Sequence, residues 1–171
     1  GKFLGELHVT FDDAGNITEA VGEPIIMDAA VTQDEGTVAR IAEAAKPLEA
    51  IRNKVVTSID EPLGGDRDVC RSQECSMGTL IADAMLARVA DQGIQVAIQN
   101  GGGIRASIDA GEVTMGEVLT VLPFQNTLST FQVTGDVLKA ALENGVSQVE
   151  DGGGRFPQVA GMTFAFDAGQ P

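Results

Sequence analysis

The chain has 171 residues, 43% hydrophobic and 21% charged, a globular composition long enough for one sizeable domain or for one domain and part of another. No apolar run approaches the roughly 18 residues of a membrane span, and no signal peptide is recognisable, so in a secreted parent it has been removed or lies upstream. The formal net charge of −14 argues against a nucleic-acid-binding surface, because a polyanion is repelled, but it leaves room for a small anion held by a few local arginines.

Residues 3–11 alternate as a strand with Leu4, Leu7, Val9 and Phe11 as its apolar members, and Asp12 to Asn16 supplies turn chemistry. Ile17 to Val21 reads as the returning hairpin strand, and 22–31, with Pro24, as a connection. From Gln33 to Lys54 the pattern is helical, with Val38, Ile41, Ala45, Leu48 and Ile51 spaced by threes and fours; Pro47 should kink or divide that helix. Val55 to Ile59 is a strand, ended by the loop Glu61 to Asp66. Ser76 is placed to cap a helix over 77–92, with Leu80, Ile81, Ala84, Met85 and Val89 on its buried face and Gly93 closing it. Ile94 to Ile98 fits a short buried strand. Further strands are expected at 128–133 and 159–166, with a helix at 136–148 between them. These elements predict an α+β fold: a mixed sheet near 55–59, 94–98, 128–133 and 159–166 covered by the helices at 77–92 and 136–148, preceded by a small β-hairpin element and a linker helix. The strand without lead-in at the start, and the turn-like Asp167 to Pro171 after the final strand, read as a fragment of a larger protein.

Little of the chemistry of metal-dependent hydrolysis is available. The single histidine, His8, lies between Leu7 and Val9 in a strand, and one histidine cannot hold and activate catalytic ions. Cys70 and Cys75 enclose Arg71 to Glu74; the spacing fits free thiols or one small disulfide loop equally. Asn100-Gly101-Gly102-Gly103-Ile104-Arg105 follows a strand; the glycines let backbone N–H groups approach a ligand, and Arg105 can fork onto phosphate or sugar oxygens. Taken alone, a tight structural turn is the preferred reading of this stretch. In Val121 to Asn126, Pro123 stiffens the chain before Phe124, which can stack on a planar base or plug the core, while Asn126 can read a base edge. With Tyr and Trp absent, stacking must use phenylalanine.

Taken in order, Cys70-Arg71 with Glu74 to Met85, then Asn100 to Arg105, then Val121 to Asn126, then Gly153 to Gly161, resemble the C-terminal domain of the 5'-nucleotidase family. The resemblance covers about 55–167; 1–31 resemble the closing strands of that family's metallophosphatase domain, and 32–54 its interdomain helix. It implies that the nucleoside is gripped by residues 55–171, a substrate-binding domain truncated at its end. Arg71 and Arg105 would take phosphate or ribose oxygens, Asn100 and Asn126 the base or sugar, Gly102 the close backbone approach, and Phe124 one side of a base clamp. It further implies that Cys70 and Cys75 are disulfide-bonded and that the parent is periplasmic or extracellular. The catalytic centre, with two divalent metal ions, would lie in the parent's own N-terminal metallophosphatase domain. The family's metal-ligand motifs do not occur here, and the second clamp aromatic and ribose-binding Asp would fall beyond Pro171. The implied ligand is a nucleotide or nucleoside, with no nucleic acid and no membrane span. A non-catalytic module of the same fold, and a part of a cyclic-nucleotide phosphodiesterase, are the alternatives.

Overall fold

A computed structural model describes residues 2–167 and 169. By internal contact the chain divides into two units, 1–47 and 48–171.

The first unit is two antiparallel strand pairs. β1 (Phe3–Gly5) pairs with β4 (Pro24–Ile26), and β2 (His8–Phe11) with β3 (Ile17–Val21). The β2–β3 turn forms because the Asp12 carboxylate accepts from the backbone N–H of Ala14 and Asn16 at 2.9 and 2.8 Å, while Gly15 takes φ +83°. The expected strand 3–11 is thus two strands, and the expected connection contains a third. Pro24 is tolerated because it opens β4, where a missing N–H costs least. None of the unit's described residues is buried: Phe3, Leu4, Leu7, Phe11 and Ile17 are each more than half exposed.

α1 (Glu35–Arg52) runs through Pro47 instead of dividing there, so the proline removes the hydrogen bond to the Glu43 carbonyl without ending the helix. Asp34 starts it by accepting from the Thr37 N–H at 2.7 Å.

In the second unit β5 (Val55–Ile59) pairs antiparallel with β7 (Gly111–Thr114), and β6 (Ala97–Asn100) with β8 (Pro157–Ala160). The chain is α+β as expected, with its second-unit strands in separate two-stranded ladders. The segment 128–133 has the alternation of a strand but no ladder partner among the described residues, and Phe131 is 76% exposed. β7 takes the place next to β5 instead. β8 ends at Ala160 because Gly161 turns the chain at φ +76°. Beyond it Phe164 and Phe166 gather on Phe156, with ring centroids 6.2 and 5.9 Å away. The expected closing turn at 167–171 falls largely outside the described residues.

The helices are α2 (Arg67–Cys70), α3 (Ser76–Arg88), α4 (Met115–Val121) and α5 (Gly135–Val146). α3 is followed by a 3-10 turn at Ala90–Gln92, closed by Gly93 in the left-handed region. Its cap is Cys75, whose Sγ accepts from the Gly78 N–H, whereas Ser76 turns its hydroxyl back to accept from the Gly64 N–H at 2.8 Å. Of the expected buried face, Ile81 and Met85 are half-buried against the core and Val89, just past the end of α3, is buried, whereas Leu80 and Ala84 are exposed and Met77, Gly78 and Ala82 are buried in their place. Small residues face the β6–β8 pair here because the helix must lie close to it. Two clusters make the core: Cys70, Cys75, Met77, Ile104, Ile108, Val113 and Val121; and Ala82, Ala97 and Ala160.

α4 begins with a reciprocal cap. The Thr114 hydroxyl accepts from the Glu117 N–H, and the Glu117 carboxylate accepts from the Thr114 N–H at 2.7 Å. The hydrogen bonds from the Thr114 backbone and then its hydroxyl hold the Glu117 carboxyl below its usual range. A depressed folded-state pKa adds stability above the unfolded carboxylate pKa, and that stability is lost as pH falls through the folded value. Glu117→Gln should therefore narrow the gap in urea midpoint between neutral and acid pH; an unchanged gap counts against the cap.

Candidate functional site

The site grows from the Cys70–Cys75 disulfide, which closes a loop of sequence separation 5 with Cα atoms 5.2 Å apart. α2 delivers Cys70, fully buried, and Arg71 follows as its C-cap. Between the two cysteines the backbone has little freedom, so the root of the Arg71 side chain is fixed.

Against this loop lies the Asn100–Gly103 turn that ends β6. A Cβ on Gly101 would sit 1.9 Å from the Cys70 carbonyl oxygen, and one on Gly102 2.7 Å from the Gly154 oxygen. The glycines are thus required by two close backbone crossings. The Gly101 N–H donates to the Phe156 carbonyl and the Gly102 N–H to the Gly154 carbonyl, both at 2.8 Å. These two donors hold the 152–156 loop; they do not point outward to a ligand as the sequence alone invites.

The side chains collect around that crossing. Arg71 Nη1 donates to the Gly152 carbonyl at 3.2 Å, and Asn100 Nδ2 to the Gly154 carbonyl at 3.1 Å. Arg105 Nη1 donates to the Gly102 carbonyl at 3.3 Å, and its guanidinium lies over the Phe124 ring, 5.7 Å from the centroid. Phe124 is 56% exposed, so it is a surface ring and not a core plug. Gln125, between Phe124 and Asn126, holds φ +52°, an uncommon conformation for a residue with a side chain. Phe124 and Asn126 both line a cavity of about 190 Å³ with Met85, Gln99 and Leu128. Arg105 thus touches both Gly102 and Phe124, Arg71, Asn100 and Gly102 each bond to the 152–154 loop, and Asn126 joins Phe124 through the cavity.

The electrostatics are local. Burial lowers the pKa of Arg71, with repulsion from Arg67 and Arg105 adding and Asp68 opposing. Arg71 Nε is buried without a hydrogen-bond partner among the described residues. Among the described residues the ion pairs are Glu6 with His8 and Glu43 with Lys46, so none of the second unit's arginines has a carboxylate within pairing distance. In a chain of net charge −14, Arg67, Arg71 and Arg105 therefore stand as a local group of like charge with no ion pair among the described residues. Arg67 was not anticipated from sequence, though its place four residues before Arg71 on one short helix was a usable signal. Gln158 was also missed; a lone amide in the apolar strand Pro157–Ala160 marks it.

Among the described residues no group of three or more His, Cys, Asp or Glu could hold a metal ion, and His8 is an exposed strand residue hydrogen-bonded to Glu6. No helix of the described residues is long and apolar enough to cross a membrane.

Comparison with known proteins gives this arrangement a family. The chain is 42% identical over 169 residues to the trifunctional nucleotide phosphoesterase protein YfkN of Bacillus subtilis, covering 97% of this chain and 12% of that protein. It is 34% identical over 181 residues to the snake venom 5'-nucleotidase of Naja atra, covering 99% and 34%. The crystal structure of a 5'-nucleotidase precursor from Thermus thermophilus superposes with a TM-score of 0.75 at 43% identity, covering all of this chain and 34% of that one. The chain thus spans well under half the length of these relatives. The family described as 5'-nucleotidase, C-terminal domain, matches residues 54–171, and the chain belongs to it.

Proposed function

We propose that residues 55–171 grip a nucleotide or nucleoside within a secreted 5'-nucleotidase that hydrolyses nucleotide phosphate esters. The observation that carries this reading is the pair Arg71 and Arg105, without carboxylate partners, converging on one glycine crossing beside the exposed ring of Phe124. An anionic group would be held by the two guanidinium groups, with Arg67 adding charge. Asn100 and Asn126 would meet sugar or base, and Gly102 would contribute by lacking a side chain. Phe124 would stack one face of the base.

On this reading residues 1–31 are the closing strands of the parent's metallophosphatase domain and 32–54 its linker helix. The exposed apolar side chains of β1 to β4 support this, since such side chains are normally covered. The two divalent ions expected in the parent find no fitting donor set among the described residues, so we assign no metal-dependent step to this chain, which would be inactive alone. A periplasmic or extracellular location is supported by the disulfide, which needs an oxidising compartment.

The test is an NMR titration of the chain with adenosine and with AMP, no metal added. Saturable shifts at Asn100–Arg105 and Phe124, larger for AMP near the arginines, are expected. No shifts at millimolar AMP would overturn the proposal for this chain.

A further inference from the structure

We propose that Gln158 is a positioning residue for Arg71, setting where its guanidinium stands by holding the disulfide loop from beneath. The proposal rests on the reading of Arg71 as a ligand-binding group and deepens it.

Gln158 is the one buried polar residue among those described, 1% exposed, in the middle of β8. Its Nε2 donates to the carbonyls of Cys70 at 2.9 Å and Gln73 at 2.8 Å, and its Oε1 accepts from the Cys75 N–H at 3.1 Å. Both amide donors are therefore used, and the three bonds reach the start, middle and end of the loop that carries Arg71. A buried amide is costly unless satisfied, so an apolar side chain would fill this space with less demand on geometry. What the amide adds is a fixed separation between two loop carbonyls. The site is shaped to admit it: a Cβ on Gly78 would lie 2.3 Å from Gln158 Oε1.

Arg71 needs such external support. Among the described residues its head makes one hydrogen bond, to the Gly152 carbonyl, and its Nε makes none. Gly152 and Gln158 belong to one short stretch of chain, pinned to the Asn100–Gly103 turn through Gly154 and Phe156. That stretch thus grasps Arg71 at both ends, the root through Gln158 and the head through Gly152.

The experiment compares AMP and adenosine binding by calorimetry, the Arg71 Nε–H NMR signal, and urea midpoints in Gln158→Asn, Gly78→Ala, Arg71→Ala and Leu86→Ala. Asn is one methylene too short to reach both carbonyls, and Gly78→Ala displaces the amide without changing it. Each of these two should weaken AMP binding about three- to tenfold, as small misplacements of a binding group do. Each should also leave adenosine affinity unchanged and move the Arg71 signal. Leu86→Ala, which trims the separate Ala82–Ala97–Ala160 cluster, should lower the urea midpoint and leave AMP affinity alone. Wild-type AMP affinity with an unmoved Arg71 signal in folded Gln158→Asn and Gly78→Ala, beside a weakened Arg71→Ala, would sink the proposal. So would an equal loss of affinity in Leu86→Ala, since loosening in general would then explain the effect. Arg71→Ala that binds AMP normally overturns the ligand reading of Arg71 instead, and the Arg71 signal in the other variants still decides the linkage.

Discussion

Gly101→Ala should lower the unfolding free energy of the second unit by about 3 kcal/mol, the upper range for overpacking a rigid site. The added Cβ would lie 1.9 Å from the Cys70 carbonyl oxygen and 2.8 Å from its carbon, both backbone atoms. That backbone cannot yield cheaply. Cys70 is fully buried and disulfide-bonded, and its carbonyl also accepts from Gln158. Gly135→Ala is the natural comparison, because nothing lies within 4 Å of its Cβ position. Its effect should stay within about 0.5 kcal/mol of zero, as for substitutions at unconstrained sites. Urea unfolding followed by circular dichroism measures both. A Gly101→Ala protein within 1 kcal/mol of wild type, roughly what an average substitution costs, would mean the crossing can open.

The second large effect concerns binding. If the guanidinium of Arg105 meets the phosphate, Arg105→Ala should weaken AMP by about ten- to a hundredfold, the loss of a charge-assisted hydrogen bond, and adenosine far less. Phe124→Ala should instead weaken AMP and adenosine alike, since stacking on a base contributes about 1–3 kcal/mol whether or not phosphate is present. Added salt should erode AMP affinity more than adenosine affinity. The two changes should not be additive, because Arg105 lies over the Phe124 ring and each side chain helps to place the other. Equal losses for AMP and adenosine in Arg105→Ala would remove that arginine from the phosphate end.

The parts of the site that can be read in sequence are those whose chemistry is carried by side chains in short runs. Arg71, Asn100, Arg105 and Phe124 stand out as residue types, and the structure brings Arg71 and Asn100 onto the distant 152–154 loop and Arg105 over the Phe124 ring. The glycines stand out too, but their purpose does not: sequence cannot tell a glycine that admits a ligand from one that admits another loop. Gly101 and Gly102 are the second kind. The buried face of α3 is legible at Ile81, Met85 and Val89 but not at its closest approach, for a related reason. Hydropathy ranks Leu80 above Gly78, yet closeness to β8 rewards the smaller residue. The segment 128–133 shows the remaining limit, since alternation describes one strand and says nothing about a partner.

The glycine crossing also bears on how such a site can change. Its innermost layer, Gly101 and Gly102 against Cys70 and Gly154, is backbone against backbone, so it offers mutation nothing to adjust short of unfolding. The loop from Phe124 to Asn126 is the reverse: it is on the surface, no side-chain hydrogen bond ties it to the crossing among the described residues, and Gln125 already tolerates an unusual backbone conformation. If the proposed grip on a nucleotide holds, selectivity can therefore drift at the rim while the frame stays constant, and a change of preferred ligand need not pass through a less stable protein.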